Sequence, residues 1–129
     1  MANVNDKELA AVFALPGPQR YSVFVRRVAD SGEVWGLRTD EGWSIVGDDN
    51  GRELMPVWPH RQFAEACAGT ATEEYPAAIP LDSWLDKWLP GMSRDGRSVA
   101  VFPTPGGSGV PVEPERLQSD LLEELEQLE

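Results

Sequence analysis

Apolar residues recur at helical spacing in the first thirty positions of the chain. A first helix is predicted over 6–14, with Asn5 as its N-cap and Glu8 three residues further on, as in a capping box. Gly32 is typical of a residue that ends a helix. A second helix is predicted over 18–29, because four apolar residues fall on one side of it: Tyr21, Phe24, Val25 and Val28.

The spacing of apolar residues then changes to two, which is typical of strands. Strands are predicted over 34–38, 43–47 and 53–58, and short polar turns that contain glycine connect them. Three strands joined in this way form an antiparallel meander. Pro56 removes a backbone donor from the third strand, so we expect it at a sheet edge or at a strand end.

The second half of the chain alternates short helices and strands. The predicted elements are a helix over 59–68, a strand over 77–81, a helix over 83–89 that Pro90-Gly91 ends, strands over 97–102 and 110–112, and a last helix over 114–128. The order ααβββαβαββα predicts an α+β fold with a single, mainly antiparallel sheet and helices packed on it. We expect residues 1–129 to form a single domain.

Apolar stripes predict how two of these helices pack. Trp84, Leu85 and Trp88 cover one side of the helix over 83–89 and are predicted to be core residues. The last helix is expected to dock on the sheet through a stripe of four leucines: Leu117, Leu121, Leu125 and Leu128.

The charge of the chain limits its partners. The 129 residues include 22 acidic and 11 basic ones, and the net charge of −11 argues against nucleic acid and anionic membranes. Many of the acids lie in the C-terminal helix, where like charges repel each other. A basic protein partner would relieve this repulsion, with Glu123, Glu124 and Glu126 as candidate contacts.

The chain also has few features of a membrane, secreted or metal-binding protein. No stretch approaches the roughly 18 apolar residues of a membrane helix, and residues 1–7 do not have the pattern of a signal segment. The single cysteine excludes an internal disulfide and a cysteine-based metal cluster. We therefore expect a cytoplasmic protein with no metal and no cofactor.

His60 and Cys67 are the only histidine and the only cysteine of the chain, and such a pair can form a thiolate nucleophile. Seven residues of one helix separate them by about 10 Å along its axis, which exceeds hydrogen-bond reach. We therefore interpret Cys67 as a small buried residue and His60 as a polar residue of the first helical turn.

Three other motifs have simple structural interpretations. The acidic turn at 48–51 would place Val46 and Val57 at ligand positions of a calcium loop, so that match fails. The Gly-rich segment 103–109 lacks the lysine of a phosphate-binding loop and is interpreted as a hairpin turn, with anion binding as the alternative. Three pairs of adjacent acids are interpreted as solvated surface pairs: Asp40/Glu41, Asp48/Asp49 and Glu73/Glu74.

The segment 55–61 is the strongest candidate for a binding site. Two prolines, a tryptophan, the histidine and an arginine meet there, where a strand leads into a helix. A helix N-terminus offers free N–H groups and the positive end of its dipole, which can bind a carboxylate or a phosphate. Trp58, His60 and Arg61 are therefore candidate binding residues. The alternative interpretation is a rigid corner with a buried tryptophan.

Several blocks along the chain resemble a known family. The blocks are PVWPHRQFAE at 56–65, IPLD at 79–82, WLPGM at 88–92, DGR at 95–97 and VFP at 101–103. In this order they are similar to the bacterial domain-of-unknown-function family numbered 2750, and the likeness covers nearly the whole chain. The resemblance implies no activity, cofactor or catalytic residue.

The order of elements also resembles the N-terminal domain of the serine-sensitivity-enhancing proteins linked to secretion. Here Trp58-Pro59-His60 stands where that family tends to carry Phe-Thr-Ser or Phe-Thr-Asp. The resemblance is one of fold and carries no shared ligand.

Three functional hypotheses follow from the sequence. The first is a non-enzymatic protein-binding or regulatory module, including an immunity-type protein that caps a toxin. The second is a small enzyme or ligand sensor that uses the junction at Trp58–Arg61. The third is a purely structural protein, which stable self-association without another partner would support. A deep pocket lined by ionisable groups would favour the second hypothesis, and a flat acidic face would favour the first.

Overall fold

The structure, a computed structural model, describes residues 5–68 and 73–128. It begins with α1 (Asp6–Phe13) and α2 (Gly17–Ser31). The Asn5 side-chain oxygen accepts a hydrogen bond of 2.8 Å from the backbone N–H of Glu8, which confirms the predicted N-cap. Gly32 ends α2 with a left-handed φ of 78°, a conformation that glycine adopts without strain.

The strands and the remaining helices follow along the chain. They are β1 (Glu33–Thr39), β2 (Gly42–Trp43), β3 (Val46–Gly47), β4 (Glu53–Val57), α3 (Arg61–Cys67), β5 (Tyr75–Pro80), α4 (Leu81–Ser83), a π-helical turn (Trp84–Trp88), α5 (Leu89–Asp95), β6 (Ser98–Val101), β7 (Val110–Val112) and α6 (Pro114–Gln127). The fold class is α+β, as predicted.

The strands form two sheets, so the prediction of a single sheet needs correction. One sheet has the order β2-β1-β5 and the other has the order β3-β4-β6-β7. The predicted strand over 43–47 divides at Ser44 and Ile45: β2 pairs with β1, whereas β3 pairs with β4. The predicted meander is therefore two separate hairpins. Pairing is mainly antiparallel, and β4 and β6 are the parallel pair.

One backbone bridge joins the two sheets. The N–H of Trp35 in β1 donates to the carbonyl of Trp58 at 2.9 Å, and the N–H of Trp58 donates back at 2.8 Å. Trp58 follows β4 directly, so this bridge fixes the start of the segment that leads into α3.

The helix predicted over 83–89 does not end at Pro90, so that boundary was wrong. The helical segment continues through Pro90 and Gly91 to the end of α5, where Gly96 has a φ of 74°. A proline inside a helix clashes with the carbonyl four residues before it. The π-helical turn, in which the N–H of Leu89 bonds to Trp84, widens the helix just before Pro90. We attribute the continued helix to this wider turn.

The helices cover one face of the sheets and form the core. Trp84 and Leu85 are buried as predicted, but Trp88 is only partly buried and packs edge-on against Trp43, with ring centroids 5.2 Å apart. Leu117 and Leu121 of α6 are fully buried and Leu125 is partly so, but α6 packs mainly against α2 and α5, so the prediction that it docks on the sheet was wrong. Leu128 is 54% exposed, so the predicted stripe is one leucine too long; this residue lies beyond the last residue of α6.

Prolines lie where strands lack a partner. Pro76 and Pro80 of β5 stand opposite Leu37 and Glu33 of β1. Since Trp35 turns its N–H and carbonyl toward Trp58, these pairs are not hydrogen-bonded, and the backbone groups of 76, 78 and 80 point away from β1. Pro56 lies next to the end of β4, as predicted, but β4 is an inner strand and not an edge: Pro56 stands opposite Ala100 of β6 and lies beyond the end of the pairing with β3.

None of the helices within the described ranges is long and apolar enough to cross a membrane.

Candidate functional site

A cleft of about 810 Å³ opens on the face of the four-stranded sheet that lies opposite the core helices. Side chains in a strand alternate between the two faces of a sheet, so β4 and β6 supply both the core and the cleft. Met55, Val57, Val99 and Val101 point into the core. The floor of the cleft is formed by the alternate residues: Leu54, Pro56, Ala100 and Pro111.

Two segments form the walls of the cleft: 44–49, and the Gly-rich loop 103–109 that connects β6 and β7. The interpretation of this loop as a hairpin turn is confirmed. Position 109 favours glycine, because a Cβ atom there would lie 3.0 Å from backbone atoms of both Ala100 and Val101. Gly106 has a φ of 75°, which also favours glycine.

The Gly-rich loop is anchored at its first residues. Phe102 is buried and has a φ of 57°, a conformation that costs a residue with a Cβ roughly 1–2 kcal/mol. Arg20 donates from Nε to the Phe102 carbonyl at 3.0 Å and from Nη1 to the Leu15 carbonyl at 2.8 Å. The indole N–H of Trp58 donates to the Pro103 carbonyl at 2.9 Å. These hydrogen bonds hold the loop over the sheet and offset the strain at Phe102.

The charged side chains that line the cleft are all acidic among the described residues: Asp48, Asp49 and Glu74. Asp48 belongs to the turn after β3, and its Oδ1 accepts the backbone N–H groups of Asn50 and Arg52, each at 2.9 Å. Glu74 precedes β5 and accepts a hydrogen bond of 2.5 Å from the Ser44 hydroxyl. The cleft therefore combines an apolar floor with a negative rim.

Cys67 is the thiol of the cleft, and it is protonated at neutral pH. Burial raises the pKa of Cys67 to about 11, although the nearby Trp58 indole acts in the opposite direction. The Sγ atom donates to the Pro103 carbonyl at 3.5 Å. A thiol in this state is a poor nucleophile, because the thiolate is the reactive form.

The three candidate residues of the strand-to-helix junction point in different directions. Trp58 is 1% exposed and lines the cleft. His60 lies outside the cleft and stacks on Phe63 with ring centroids 6.1 Å apart. Burial, and secondarily the charge of Arg27, lowers the pKa of His60. Arg61 is exposed and has a 3.7 Å contact with Glu65. The junction is therefore a corner with a buried tryptophan, and α3, which has seven residues, begins without a side-chain cap.

The acidic candidates of α6 lie apart from the cleft. Glu123 and Glu124 border a groove between α2 and α6, and Glu126 borders a shallow depression on α6 itself. In the first groove the Tyr21 hydroxyl donates to Asp120 at 2.5 Å. Burial, followed by this hydrogen bond, raises the pKa of Tyr21. Of the six sequence candidates, Trp58 therefore lines the cleft, and the other five lie outside it.

Ser44 and Glu74 were missed as site residues. They are 30 residues apart in sequence, but each adjoins a strand that pairs with Arg38 at the end of β1: Trp43 on one side and Tyr75 on the other. Predicting the antiparallel pairing of β5 with β1 would have brought them together.

No group of three or more potential metal ligands occurs within 5–68 and 73–128.

The fold and the cleft define a small α+β protein whose cleft has an apolar floor and an acidic rim. Residues 21–121, well over half of the chain, match the family model described as "Protein of unknown function (DUF2750)". The protein belongs to this family. A search of curated proteins and a search of solved structures found no match.

Proposed function

We propose that the protein is a non-enzymatic module that binds and regulates a basic protein partner, and that the partner engages the acidic cleft. An immunity-type protein that caps a basic toxin is one form of this function. The observation that carries the proposal is the lining of the cleft, in which the described charged residues are three acids around an apolar floor. Such a surface attracts positive charge and gives apolar side chains a place to pack.

The state of the cleft supports binding rather than covalent chemistry. The raised pKa of Cys67 keeps its thiol protonated, and the Pro103 carbonyl accepts from both this thiol and the Trp58 indole. Because these two hydrogen bonds hold Pro103 in place, we interpret the Gly-rich loop as a structural wall of the cleft. We further propose a cytoplasmic location, where a lone cysteine stays reduced.

The test is capture of a partner from the native host, with two charge variants as a matched pair. The cleft variant carries Asp48→Asn, Asp49→Asn and Glu74→Gln, and the control carries Gln at the three candidate positions of α6: Glu123, Glu124 and Glu126. Both variants remove three charges. We expect the control to retain a basic partner and the cleft variant to lose it, with association slowing as salt rises. Loss in the control alone would assign the partner to α6.

A small ligand sensor or enzyme that uses the cleft is the second candidate, because Trp58 of the predicted junction lines the cleft beside Cys67 and Glu74. Under our proposal, His60→Ala leaves partner binding intact because His60 lies outside the cleft, and Cys67→Ser leaves it intact because serine keeps a donor to the Pro103 carbonyl. Loss of biological activity in Cys67→Ser, with a native circular dichroism spectrum, would favour this second candidate.

A further inference from the structure

The Gly-rich loop 103–109 is attached to the rest of the protein near its two ends. At the first end, the Pro103 carbonyl accepts hydrogen bonds from two side chains that line the cleft. At the second end, the Ser108 carbonyl accepts from Nη2 of Arg20 at 3.4 Å. Between these ends the described hydrogen bond is internal to the loop, and residues 105–108 are exposed. The position of the loop over the cleft therefore depends on the contacts at its ends.

Arg20 of α2 connects the two ends of the loop. Its guanidinium donates at 3.0 Å to the carbonyl of Phe102, which precedes the loop, and also reaches the Ser108 carbonyl. A further donor binds the Leu15 carbonyl at 2.8 Å. Arg20 has no ion pair among the described residues, so its described partners are these three backbone carbonyls. The rigid fork of an arginine suits this task, because one side chain presents several donors in fixed directions.

The backbone at the base of the loop is strained. Phe102 has a φ of 57°, which is unfavourable for a residue with a Cβ atom. Its buried ring packs edge-on against Phe13 and Phe63, so the ring cannot move without opening the core. Relaxation of the strain would therefore displace the chain that follows Phe102, which is the loop. The hydrogen bonds from Arg20 and Trp58 to the first carbonyls of this segment oppose that displacement.

We propose that the Gly-rich loop is a gate of the cleft and that Arg20 is its latch. In the closed position, Arg20 joins the two ends of the loop and the Pro103 carbonyl contacts the Cys67 thiol. Release of the latch lets the loop turn about its ends, as hinged loops do, and opens the cleft wall at Cys67. The gate is a property of the free protein, so it does not depend on which ligand enters the cleft.

Cys67 is a natural reporter of the gate, because it is the only cysteine of the chain and its Sγ contacts Pro103. Its reaction with the uncharged disulfide 4,4′-dithiodipyridine, which the acidic rim does not repel, is followed in the full chain at constant pH. Arg20→Gln should react about tenfold faster than the wild type, because each lost hydrogen bond changes an equilibrium constant by a factor of a few. Arg20→Lys keeps the charge but not the fork, and should react at an intermediate rate.

Arg26→Gln is the matched control. Arg26 is exposed on the same helix, and the variant removes the same charge without removing a described hydrogen bond of the loop. Its reaction rate should equal that of the wild type. An acceleration in Arg26→Gln as large as in Arg20→Gln would show that charge and not hydrogen bonding controls the reaction, and would overturn the inference.

Low concentrations of urea separate opening of the gate from unfolding of the whole protein. A reaction that proceeds through global unfolding accelerates with urea by the full slope of the unfolding free energy, whereas local opening exposes little surface and responds weakly. We expect the faster reaction of the Arg20 variants to be nearly independent of urea. This readout distinguishes a latch from a residue that only stabilises the fold.

The remaining outcomes are decisive. A rate equal to that of the wild type in both Arg20 variants would overturn the latch. A faster reaction that follows urea with the slope of global unfolding would assign Arg20 to overall stability and would also overturn it. If Arg20→Gln does not fold, Arg20→Lys decides: a several-fold faster, urea-independent reaction supports the latch, and an unchanged rate overturns it. The proposed function is tested separately by partner capture and survives either result.

Discussion

Trp58 and Trp84 form a matched pair for measuring what a buried indole N–H contributes. Both side chains are almost completely buried, at 1% and 0% exposure. The Nε1 of Trp58 donates to the Pro103 carbonyl at 2.9 Å, whereas the Nε1 of Trp84 has no hydrogen-bond partner among the described residues. Replacing each residue by phenylalanine removes the same atoms, so the two variants differ chiefly in the fate of the N–H.

The expected change in the free energy of unfolding combines the cost of a cavity with the effect of removing the indole N–H. The smaller ring leaves a cavity of roughly 40 Å³, which costs about 1 kcal/mol at about 24 cal/mol per Å³. Trp58→Phe also loses a hydrogen bond worth about 0.5–1.5 kcal/mol, so its free energy of unfolding should fall by about 1.5–2.5 kcal/mol. Trp84→Phe removes an unpartnered donor whose burial costs about 1–3 kcal/mol, which offsets the cavity. Trp84→Phe should therefore be neutral or up to about 2 kcal/mol more stable than the wild type.

The assay is urea denaturation followed by far-ultraviolet circular dichroism, which does not depend on the fluorescence of the replaced tryptophan. Equal slopes of unfolding free energy against urea would show that the two variants unfold between comparable states. A difference of less than about 0.5 kcal/mol between Trp58→Phe and Trp84→Phe would refute the reasoning. In that case the two indole N–H groups would contribute equally, and the Trp58 hydrogen bond would not hold the Gly-rich loop.

Three further predictions concern single residues. Gly91→Ala should raise the free energy of unfolding by about 0.5–1 kcal/mol, because alanine is the better helix former. Among the described residues outside its own helical backbone, its Cβ would meet only Arg94 Nη2, at 3.6 Å. The pKa of His60 is lowered in the folded protein, so as the pH falls through about 6.5 the unfolded chain binds a proton more readily than the folded chain does, and folding loses stability. His60→Gln should therefore reduce the loss of stability between pH 7.5 and 5.5. Cys67 in the folded protein should react with a disulfide reagent about tenfold faster per pH unit from pH 8 to 10, because its pKa is about 11.

Each of these predictions has its own control. For Gly91→Ala, a lower melting temperature would mean that the Cβ meets an obstacle near Arg94. For His60→Gln, a loss of stability between pH 7.5 and 5.5 equal to that of the wild type would show that the carboxylates alone determine the acid sensitivity. For Cys67, the reaction rate of the urea-unfolded chain with the disulfide reagent should level off above about pH 8.5. The same pH profile in the folded protein would contradict the effect of burial.

Local signals predicted the helices well, because caps and apolar stripes act within a few residues. The Asn5 cap and the glycine that ends α2 lie where the sequence predicts them. The boundary at Pro90 failed because the clash that a proline creates is avoided by a π-helical turn before it, and no pattern of apolar residues distinguishes that turn from an α-helical one.

The sheets and the cleft depend on contacts between distant segments. The alternation that begins at Trp43 is interrupted by the adjacent apolar residues Ile45 and Val46, but such a pair does not by itself indicate that the chain leaves one sheet for the other at Ser44 and Ile45. Trp58 was a candidate from sequence, but its neighbours His60 and Arg61 lie outside the cleft. Glu74 joins the site only because β5 pairs with β1, a contact between segments about 40 residues apart.

The edge prolines determine how another chain can associate with this protein. Of the three backbone positions of β5 that point away from β1, only Ala78 has an N–H, and Pro111 interrupts the short outer strand β7 in the same way. A strand added at either edge would find too few donors to build a ladder. Strand addition at these two edges, a common route to aggregation, is therefore disfavoured. The other two edge strands, β2 and β3, contain no proline but offer only two residues each.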